Sequence, residues 1–173
     1  MIRGSTSKFL AVLTLFAGIV AALPAGAQQA TRLGVHESWV AFTYESDKGK
    51  VCYIVSQPLD SEPKNVRRGE IYFMVTHRPG QSITNEVMTM IGYNFKTGSD
   101  AEVTIGSENF NMFTQGEGAW VEAADMEGRI VSAMRRGTQM IVNGTSWRGT
   151  LTVDKYSLIG VSAALDQINT ACQ

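Results

Sequence analysis

Short apolar runs separated by turn residues fill most of this sequence, and they constrain the fold more than any other feature. The runs are rich in β-branched and aromatic side chains and end at Gly, Pro, Asn, Asp or Ser, as strands do. Eight or nine short strands with few helices are typical of a β-sandwich or a closed barrel. We assign strands to segments 39–44, 51–58, 71–77, 86–93, 102–105, 109–114, 118–122, 139–142 and 151–153. Gly106-Ser107 and Asn143-Gly144 are interpreted as turn pairs.

Two helices are predicted, one inside the strand series and one at its C-terminal end. Asp125 can cap the first helix, Arg135 and Arg136 fall in its last turn, and Gly137 follows as a left-handed residue that ends it. From Ser157 onward, apolar side chains recur at intervals of three and four residues, which puts them on one helical face. That face contains Leu158, Val161, Leu165, Ile168 and Cys172. The predicted fold is mainly β, an antiparallel sandwich or barrel-like fold with one internal helix and a C-terminal helix.

The first 27 residues have the three parts of a secretory signal peptide. Arg3 and Lys8 make a basic start, segment 9–23 is apolar, and Ala25-Gly26-Ala27 is the small-residue pattern at which a signal peptidase cleaves. The alternative is a membrane anchor, but an apolar helix of this length spans about 22 Å, less than the ~30 Å of the hydrocarbon core. We predict cleavage of residues 1–27 and a single domain over residues 28–173, without an integral membrane segment.

Signal cleavage changes the charge of the chain. The full sequence of 173 residues has 15 Lys and Arg against 16 Asp and Glu, a formal net charge of -1. Two of these cations and no acid lie in residues 1–27, so the remaining 146 residues have a net charge of -3. Nucleic-acid binding needs a broad basic surface, so nucleic acid is not an expected partner. We expect a periplasmic, outer-envelope-associated or secreted protein.

Two cysteines, Cys52 and Cys172, remain after cleavage. An even number of cysteines in an oxidising compartment favours a disulfide. Cys52 lies in a predicted buried strand, and Cys172 lies on the apolar face of the terminal helix. We predict that a Cys52–Cys172 disulfide holds this helix on the sheet, with two separate buried thiols as the alternative.

The sequence lacks the usual combinations of catalytic or metal-binding residues. The two histidines, His36 and His77, are interpreted as a solvated residue and as a strand-end residue with a packing role. There is no G-x-S-x-G nucleophile turn, no phosphate-binding loop and no His-rich spacing, and the paired cysteines leave too few zinc ligands. We therefore predict no enzymatic activity, no catalytic residues, no metal site and no cofactor.

Several arginines and one tryptophan form a candidate binding patch for an anionic glycan, a lipid headgroup or an acidic partner. Trp147 lies in the Gly-rich connection GTSWRGT and is expected to be exposed. The patch consists of Arg67, Arg68, Arg78, Arg135, Arg136 and Trp147, with Arg148 as a further candidate.

A simpler interpretation of the same arginines is favoured by the local sequence. Arg135 and Arg136 would stabilise the end of the first helix, and the pair at 67–68 would lie in a solvated loop, balanced by Glu62 and Glu70. Whether the arginines form one patch stays open at this point.

A series of motifs between Trp39 and Cys172 resembles the invasion-associated locus B family. The motifs, in the order of the family, are KVCYIVSQP, SEP, YFMVTHRP, NEV, GYNFKTGS, AMRRGTQMIVNGTSWRGT and TVDKYSLIGVSAALDQI. Within them, Met134 to Gly137 and Tyr156 to Leu158 are interpreted as a helix end and a helix start. Where the family often has a small residue between Thr-Ser and Arg-Gly, this chain has Trp147.

The resemblance implies a β-sandwich-like fold and export to the periplasm or outer envelope of an alphaproteobacterium. The namesake of the family is linked to invasion of host cells, and the family has no catalytic residues that could be transferred to this chain. The expected function is a non-enzymatic envelope protein that contacts an unidentified envelope or host protein. The alternative is a periplasmic binder of a small sugar or lipid.

Overall fold

The computed structural model describes residues 29–173, so the predicted signal peptide of residues 1–27 lies outside the described residues. The described part contains eleven strands and two helices. The strands are β1 (Thr31–His36), β2 (Trp39–Ser46), β3 (Gly49–Ser56), β4 (Asp60–Glu62), β5 (Tyr72–Arg78), β6 (Ile83–Met90), β7 (Ala101–Ile105), β8 (Glu108–Gln115), β9 (Gly118–Trp120), β10 (Gln139–Thr145) and β11 (Leu151–Ser157). The helices are α1 (Ala124–Arg136) and α2 (Val161–Ala171). The predicted mainly β class, with one internal and one C-terminal helix, is confirmed.

All strand pairs are antiparallel, and the strand order is β1-β2-β3-β5-β6-β9-β8-β7-β10-β11-β4. Strand β8 belongs to both halves of the sheet. Its first residues pair with β7, as in Val103↔Phe110, and its last residues pair with β9, as in Phe113↔Trp120. The sheet therefore divides into a first half (β1, β2, β3, β5, β6, β9) and a second half (β7, β10, β11, β4), as in a sandwich.

The alternation of side chains along the strands builds the core between the layers. In β3 and β5, the residues Cys52, Ile54, Phe73 and Val75 are fully buried, whereas Tyr53, Val55, Tyr72 and Met74, which alternate with them, are partly exposed. A cluster of Trp39, Phe73 and Tyr156 has ring centroids 6.5 and 6.0 Å apart and joins β2, β5 and β11. The buried apolar side chains form one contiguous cluster that also includes the apolar faces of both helices.

Helix α2 packs on β1, β2 and β3, where the predicted Cys52–Cys172 disulfide is present. The prediction for the start of this helix is wrong, because Ser157 ends strand β11 and the helix begins at Val161. Gly160 precedes it with φ +91, and a Cβ there would lie 2.0 Å from the carbonyl oxygen of His36. The close approach of β1 and the positive φ thus explain why a glycine precedes the helix.

Both ends of α1 differ from the prediction. The residue before the helix is Ala123, and Asp125 lies within the first turn without a side-chain capping bond. At the other end, Gly137 has φ −83 and is extended rather than left-handed. A Cβ on Gly137 would lie 2.7 Å from Ile105 Cγ2 and 2.9 Å from Leu158 Cδ1, so glycine is explained there by close packing.

Four further differences concern the strands. Strands β1 and β4 were not predicted, and β6 begins and ends three residues earlier than the predicted segment 86–93. Asn143-Gly144 lies inside β10 rather than in a turn, because Asn143 pairs with Glu102 on β7 and with Val153 on β11. The turn between β10 and β11 is instead formed by residues 146–150.

Candidate functional site

The candidate site is a surface cleft of about 440 Å³ between the loop that follows β4 and the turn between β10 and β11. Segment 91–95, which follows β6, contributes Tyr93 to its wall. This cleft brings together three of the six residues of the predicted patch. Its lining consists of Asn65, Val66, Arg67, Arg68, Tyr93, Ser146, Trp147, Arg148, Thr150 and Thr152.

Arg68 is the buried end of the cleft. Its Nη1 and Nη2 donate to Asp154 Oδ1 and Oδ2 at 2.7 and 2.6 Å, and its Nε and Nη2 donate to the carbonyl oxygen of Ile91 at 3.0 and 2.8 Å. The side chains of Arg68 and Asp154 are 7% and 1% exposed. The prediction of a solvated loop balanced by Glu62 and Glu70 is therefore wrong for Arg68, which is fully neutralised by a carboxylate 86 residues away.

Tyr93 connects Arg68 to strand β11, which contains Thr152. The Arg68 guanidinium lies 5.2 Å from the centroid of the Tyr93 ring, and the Tyr93 hydroxyl is 2.6 Å from Thr152 Oγ1. Burial raises the pKa of the Tyr93 hydroxyl, with a smaller opposite effect of the Thr152 hydrogen bond. The base of the cleft is thus a neutral, hydrogen-bonded surface with an aromatic face.

The opposite wall is the turn that carries Trp147. The Ser146 amide donates to the carbonyl oxygen of Thr150 at 2.8 Å, and the amide of Gly149, which has φ +84, donates to that of Ser146 at 2.7 Å. The Trp147 amide donates to the carbonyl oxygen of Asn94 at 2.9 Å. These bonds hold the turn against segment 91–95 and present the Trp147 indole, which is 60% exposed, as predicted.

The rim of the cleft is cationic. Arg67 and Arg148 are both exposed, and neither forms an ion pair with any residue in the described range 29–173. The Arg148 guanidinium lies 4.7 Å from the centroid of the Trp147 ring, a cation–π arrangement that keeps both groups at the rim. The lining contains no Asp or Glu, so two arginine charges are available to an anionic group.

The other three arginines of the predicted patch do not line this cleft. Arg78 pairs with Glu86 on β6, and Arg135 donates to Asp166 of α2 at 2.9 Å. Arg136 pairs with Glu108 of β8 at 3.0 Å and lines a different surface depression, together with Arg129 and Asp125. Sequence analysis missed Tyr93 and Thr152, because only the pairing of distant strands brings them to the cleft.

The side chains of both histidines form hydrogen bonds within the domain. His77 is 4% exposed, its Nε2 lies 2.8 Å from Asn169 Oδ1, and its Nδ1 accepts a hydrogen bond from the Asn85 amide at 3.0 Å. The prediction that His36 is a solvated residue is incomplete, because its Nε2 lies 2.7 Å from Gln167 Oε1 of α2. Over residues 29–173, no group of three or more His, Cys, Asp or Glu is arranged to hold a metal ion.

Comparison with known proteins identifies relatives of this fold. The crystal structure of invasion associated protein b from Bartonella henselae superposes with a TM-score of 0.57 and 13% sequence identity, over 80% of this chain and 96% of that chain. At this identity the likeness shows the fold alone. Curated protein sequences give no match. The model of the family described as invasion associated locus B (IalB) protein matches residues 39–169, most of the sequence, and the chain therefore belongs to the IalB family.

Proposed function

We propose that this chain is an exported, non-enzymatic envelope protein that binds a partner protein in envelope function or host-cell association. The IalB family is not a known enzyme family, and the structural neighbour from Bartonella henselae is an invasion associated protein. In the described residues both histidine rings are used in structural hydrogen bonds.

Export is supported by two independent features. The N-terminal sequence has the three parts of a signal peptide, and the domain contains a disulfide, which persists in oxidising compartments such as the periplasm. Within residues 29–173, neither helix has the length and apolar character needed to cross a bilayer. We expect a periplasmic, outer-envelope-associated or secreted location.

The cleft is the proposed contact site, and the observation that carries this proposal is its combination of groups. Trp147 is exposed, Arg67 and Arg148 are without carboxylate partners in the described part of the chain, and the lining has no acidic residue. Tryptophan and arginine are the residues most enriched among those that dominate binding energy in interfaces. A partner segment with a carboxylate beside an apolar side chain would meet both features.

Site-specific photo-cross-linking in the native envelope tests this proposal. A photoreactive amino acid at position 147 is expected to trap one reproducible partner, whereas the same amino acid at position 159 is the matched control, because Ile159 is 53% exposed and lies outside the cleft lining. Recovery of no partner at position 147, or of the same partners at both positions, would count against the cleft.

Charge reversal sharpens the same experiment. The double variant Arg67→Glu/Arg148→Glu is expected to abolish the cross-link without unfolding the protein, because both side chains are exposed. The control Lys48→Glu/Arg129→Glu makes the same change in net charge at exposed positions outside the cleft and is expected to keep the cross-link. Equal loss in both variants would indicate a general charge effect.

A second candidate function is binding of a small anionic sugar or lipid headgroup in this cleft. The volume of about 440 Å³ lies within the range of about 300–1,000 Å³ that is usual for small-molecule sites. Native mass spectrometry of the protein purified from its envelope would detect a retained ligand that Arg67→Glu/Arg148→Glu loses. A ligand-free protein that still cross-links to a partner would favour protein binding.

A further inference from the structure

The outer face of the first half of the sheet is apolar, although an outer sheet face is ordinarily polar. In the longest row of this face, the outward positions of six neighbouring strands carry only aliphatic, methionine or aromatic side chains. The row runs Val40, Val55, Met74, Met88, Trp120 and Phe113 across β2, β3, β5, β6, β9 and β8, as the strand registers show. We call these residues, with their outward neighbours Phe42, Tyr44, Tyr53, Tyr72 and Met90, the apolar face.

None of the residues of the apolar face is fully buried, so this layer is accessible to a partner. Phe113 is 44% exposed, and the other members are partly exposed. The second half of the sheet makes a contrast, because its outward positions include Glu102, Asn111, Asn143 and Lys155. One outer face therefore follows the usual polar pattern, whereas the other does not.

Side chains at the two ends of the apolar face are stacked on one another. Phe42 and Tyr53 stack with ring centroids 5.2 Å apart and an interplanar angle of 16°, and Phe113 and Trp120 do so at 5.9 Å and 27°. A Cβ on Gly118 would lie 2.3 Å from the Trp120 indole, so this glycine allows the ring to lie over the strand.

We propose that the apolar face is the interface of a two-fold symmetric dimer, in which the sheets of two copies of this chain pack face to face. A two-fold interface uses the same patch on both subunits, so it suits a patch that has no net charge of its own. Two outward positions beside Met74 and Met88 are polar, Thr76 and Glu86, and the Glu86 carboxylate is neutralised by Arg78. Methionine and aromatic residues are enriched in interface cores, and Lys and Glu are depleted.

The size of the apolar face fits this partner. Six strands about 4.8 Å apart span about 24 Å, and three outward residues along a strand span about 14 Å, a flat footprint on the order of 300–400 Å². The largest apolar patch of an ordinary monomer is about 300–600 Å² and is often functional. Even with the rim at β1, where Val35 is 58% exposed, two facing copies bury less than the ~800 Å² per partner of a standard interface, so we expect a weak dimer that depends on concentration.

A lipid surface is the less suitable partner. Membrane-binding faces place Lys and Arg around their apolar part, and the attraction to anionic lipid depends on these cations. Here the row contains no cation, and of the two cations beside Tyr44, Lys48 and Arg78, the second is paired with Glu86. The full sequence has a net charge of -1. We therefore assign the apolar face to a second copy of the chain.

Sedimentation equilibrium of the mature exported protein tests the dimer. We expect concentration-dependent dimerisation of the wild type and about tenfold or greater weakening in Met88→Glu and in Met88→Lys, because Met88 lies near the middle of the row. Leu151→Lys is the matched control, since Leu151 is 73% exposed on a strand of the other half, and it is expected to leave the dimer intact.

A mixture of the two Met88 variants separates loss of the interface from loss of the fold. In the proposed dimer the two-fold axis passes through the centre of the row, so a glutamate of one copy faces a lysine of the other, and mixing is expected to restore dimers. Phe113→Lys gives a second disruption at a more exposed position if either Met88 variant does not fold. A monomeric wild type, a folded Phe113→Lys that dimerises normally, or folded Met88 variants that do not associate on mixing would overturn the proposal.

Discussion

Arg68 and Asp154 form a bidentate ion pair that lies almost entirely out of water, between the loop after β4 and strand β11. The guanidinium also donates to the carbonyl oxygen of Ile91 and lies against the Tyr93 ring. Every polar atom of this pair is therefore used within the domain. The cleft thus takes its shape from Arg68, while its free charge comes from Arg67 and Arg148.

Removing one partner of this pair is expected to be costly. In Arg68→Met the Asp154 carboxylate stays buried without its counterion, and we expect a loss of about 3–5 kcal/mol in the free energy of unfolding. The double variant Arg68→Met/Asp154→Leu removes both charges and is expected to recover most of this loss. Urea denaturation measures all three proteins. A single variant as stable as the double variant would contradict a buried, mutually dependent pair.

The difference between the two neighbouring arginines was beyond sequence analysis. Arg67 and Arg68 have the same local sequence, and their environments differ because Asp154 comes from a strand 86 residues away. Strands with regular apolar alternation, such as β3 and β5, were predictable, because burial of one face dictates their pattern. Strand β4, with the sequence DSE, was missed because it exists only through its pairing with β11.

The turn signal at Asn143-Gly144 failed for a related physical reason. A Cβ on Gly144 would lie 2.5 Å from Ile91 Cδ1 and 2.9 Å from the Tyr93 hydroxyl, so this glycine makes room for segment 91–95 above β10. Local turn preference cannot reveal such a tertiary contact. The exposed Trp147 was predictable, because one of the glycines near it, Gly149 with φ +84, belongs to the actual turn.

The Cys52–Cys172 disulfide is expected to contribute strongly to stability. It joins residues 120 positions apart, and the loop-entropy relation gives roughly 4–5 kcal/mol for a loop of this length. We expect the midpoint of thermal unfolding to fall by about the same amount in the reduced wild type and in the double variant Cys52→Ala/Cys172→Ala. The double variant should not respond to reductant. An unchanged midpoint after complete reduction would show that α2 docks without its covalent link.

Glu127 is expected to make the stability of the domain depend on pH. Burial raises the pKa of its carboxyl above the ordinary value of 4.5, the Val87 amide opposes this, and the charge of Glu86 adds to it. Because the folded state binds the proton more tightly, the contribution of Glu127 is fully present below pH 4.5 and is lost as pH rises through the raised pKa.

The variant Glu127→Gln isolates this effect. Glutamine keeps an oxygen acceptor for the Val87 amide, which lies 3.2 Å from Oε1, but cannot ionise. We expect equal stability of variant and wild type near pH 4 and a gain of at most about 0.5 kcal/mol for the variant at pH 7, since water screens this site. Glu122→Gln, at an exposed position, is the matched control for the lost charge. If Glu127→Gln matches the wild type at pH 4 but is less stable than the wild type at pH 7, the pH dependence of this stability difference is opposite to the prediction.

The hydroxyl of Tyr156 is expected to be dispensable. It is buried in the Trp39–Phe73–Tyr156 cluster without a hydrogen-bond partner of normal geometry in residues 29–173. Burial together with the nearby Asp154 raises its pKa, and the neighbouring Thr89 hydroxyl has a smaller opposite effect. Tyr156→Phe keeps the ring and removes the unsatisfied group, so we expect equal stability or a gain of up to about 1 kcal/mol.

Tyr93→Phe provides the comparison for Tyr156→Phe. Its hydroxyl is hydrogen-bonded to Thr152 at 2.6 Å, so removing it leaves Thr152 without this partner and is expected to cost about 1 kcal/mol. Both variants lose one phenolic oxygen from a largely buried ring, and urea denaturation at neutral pH compares them directly. If Tyr156→Phe is the more destabilising of the two, the Tyr156 hydroxyl has a partner in solution. Such a result would point to the neighbouring Thr89 hydroxyl as that partner, or to an ordered water, because a buried water bonds to otherwise unsatisfied polar groups.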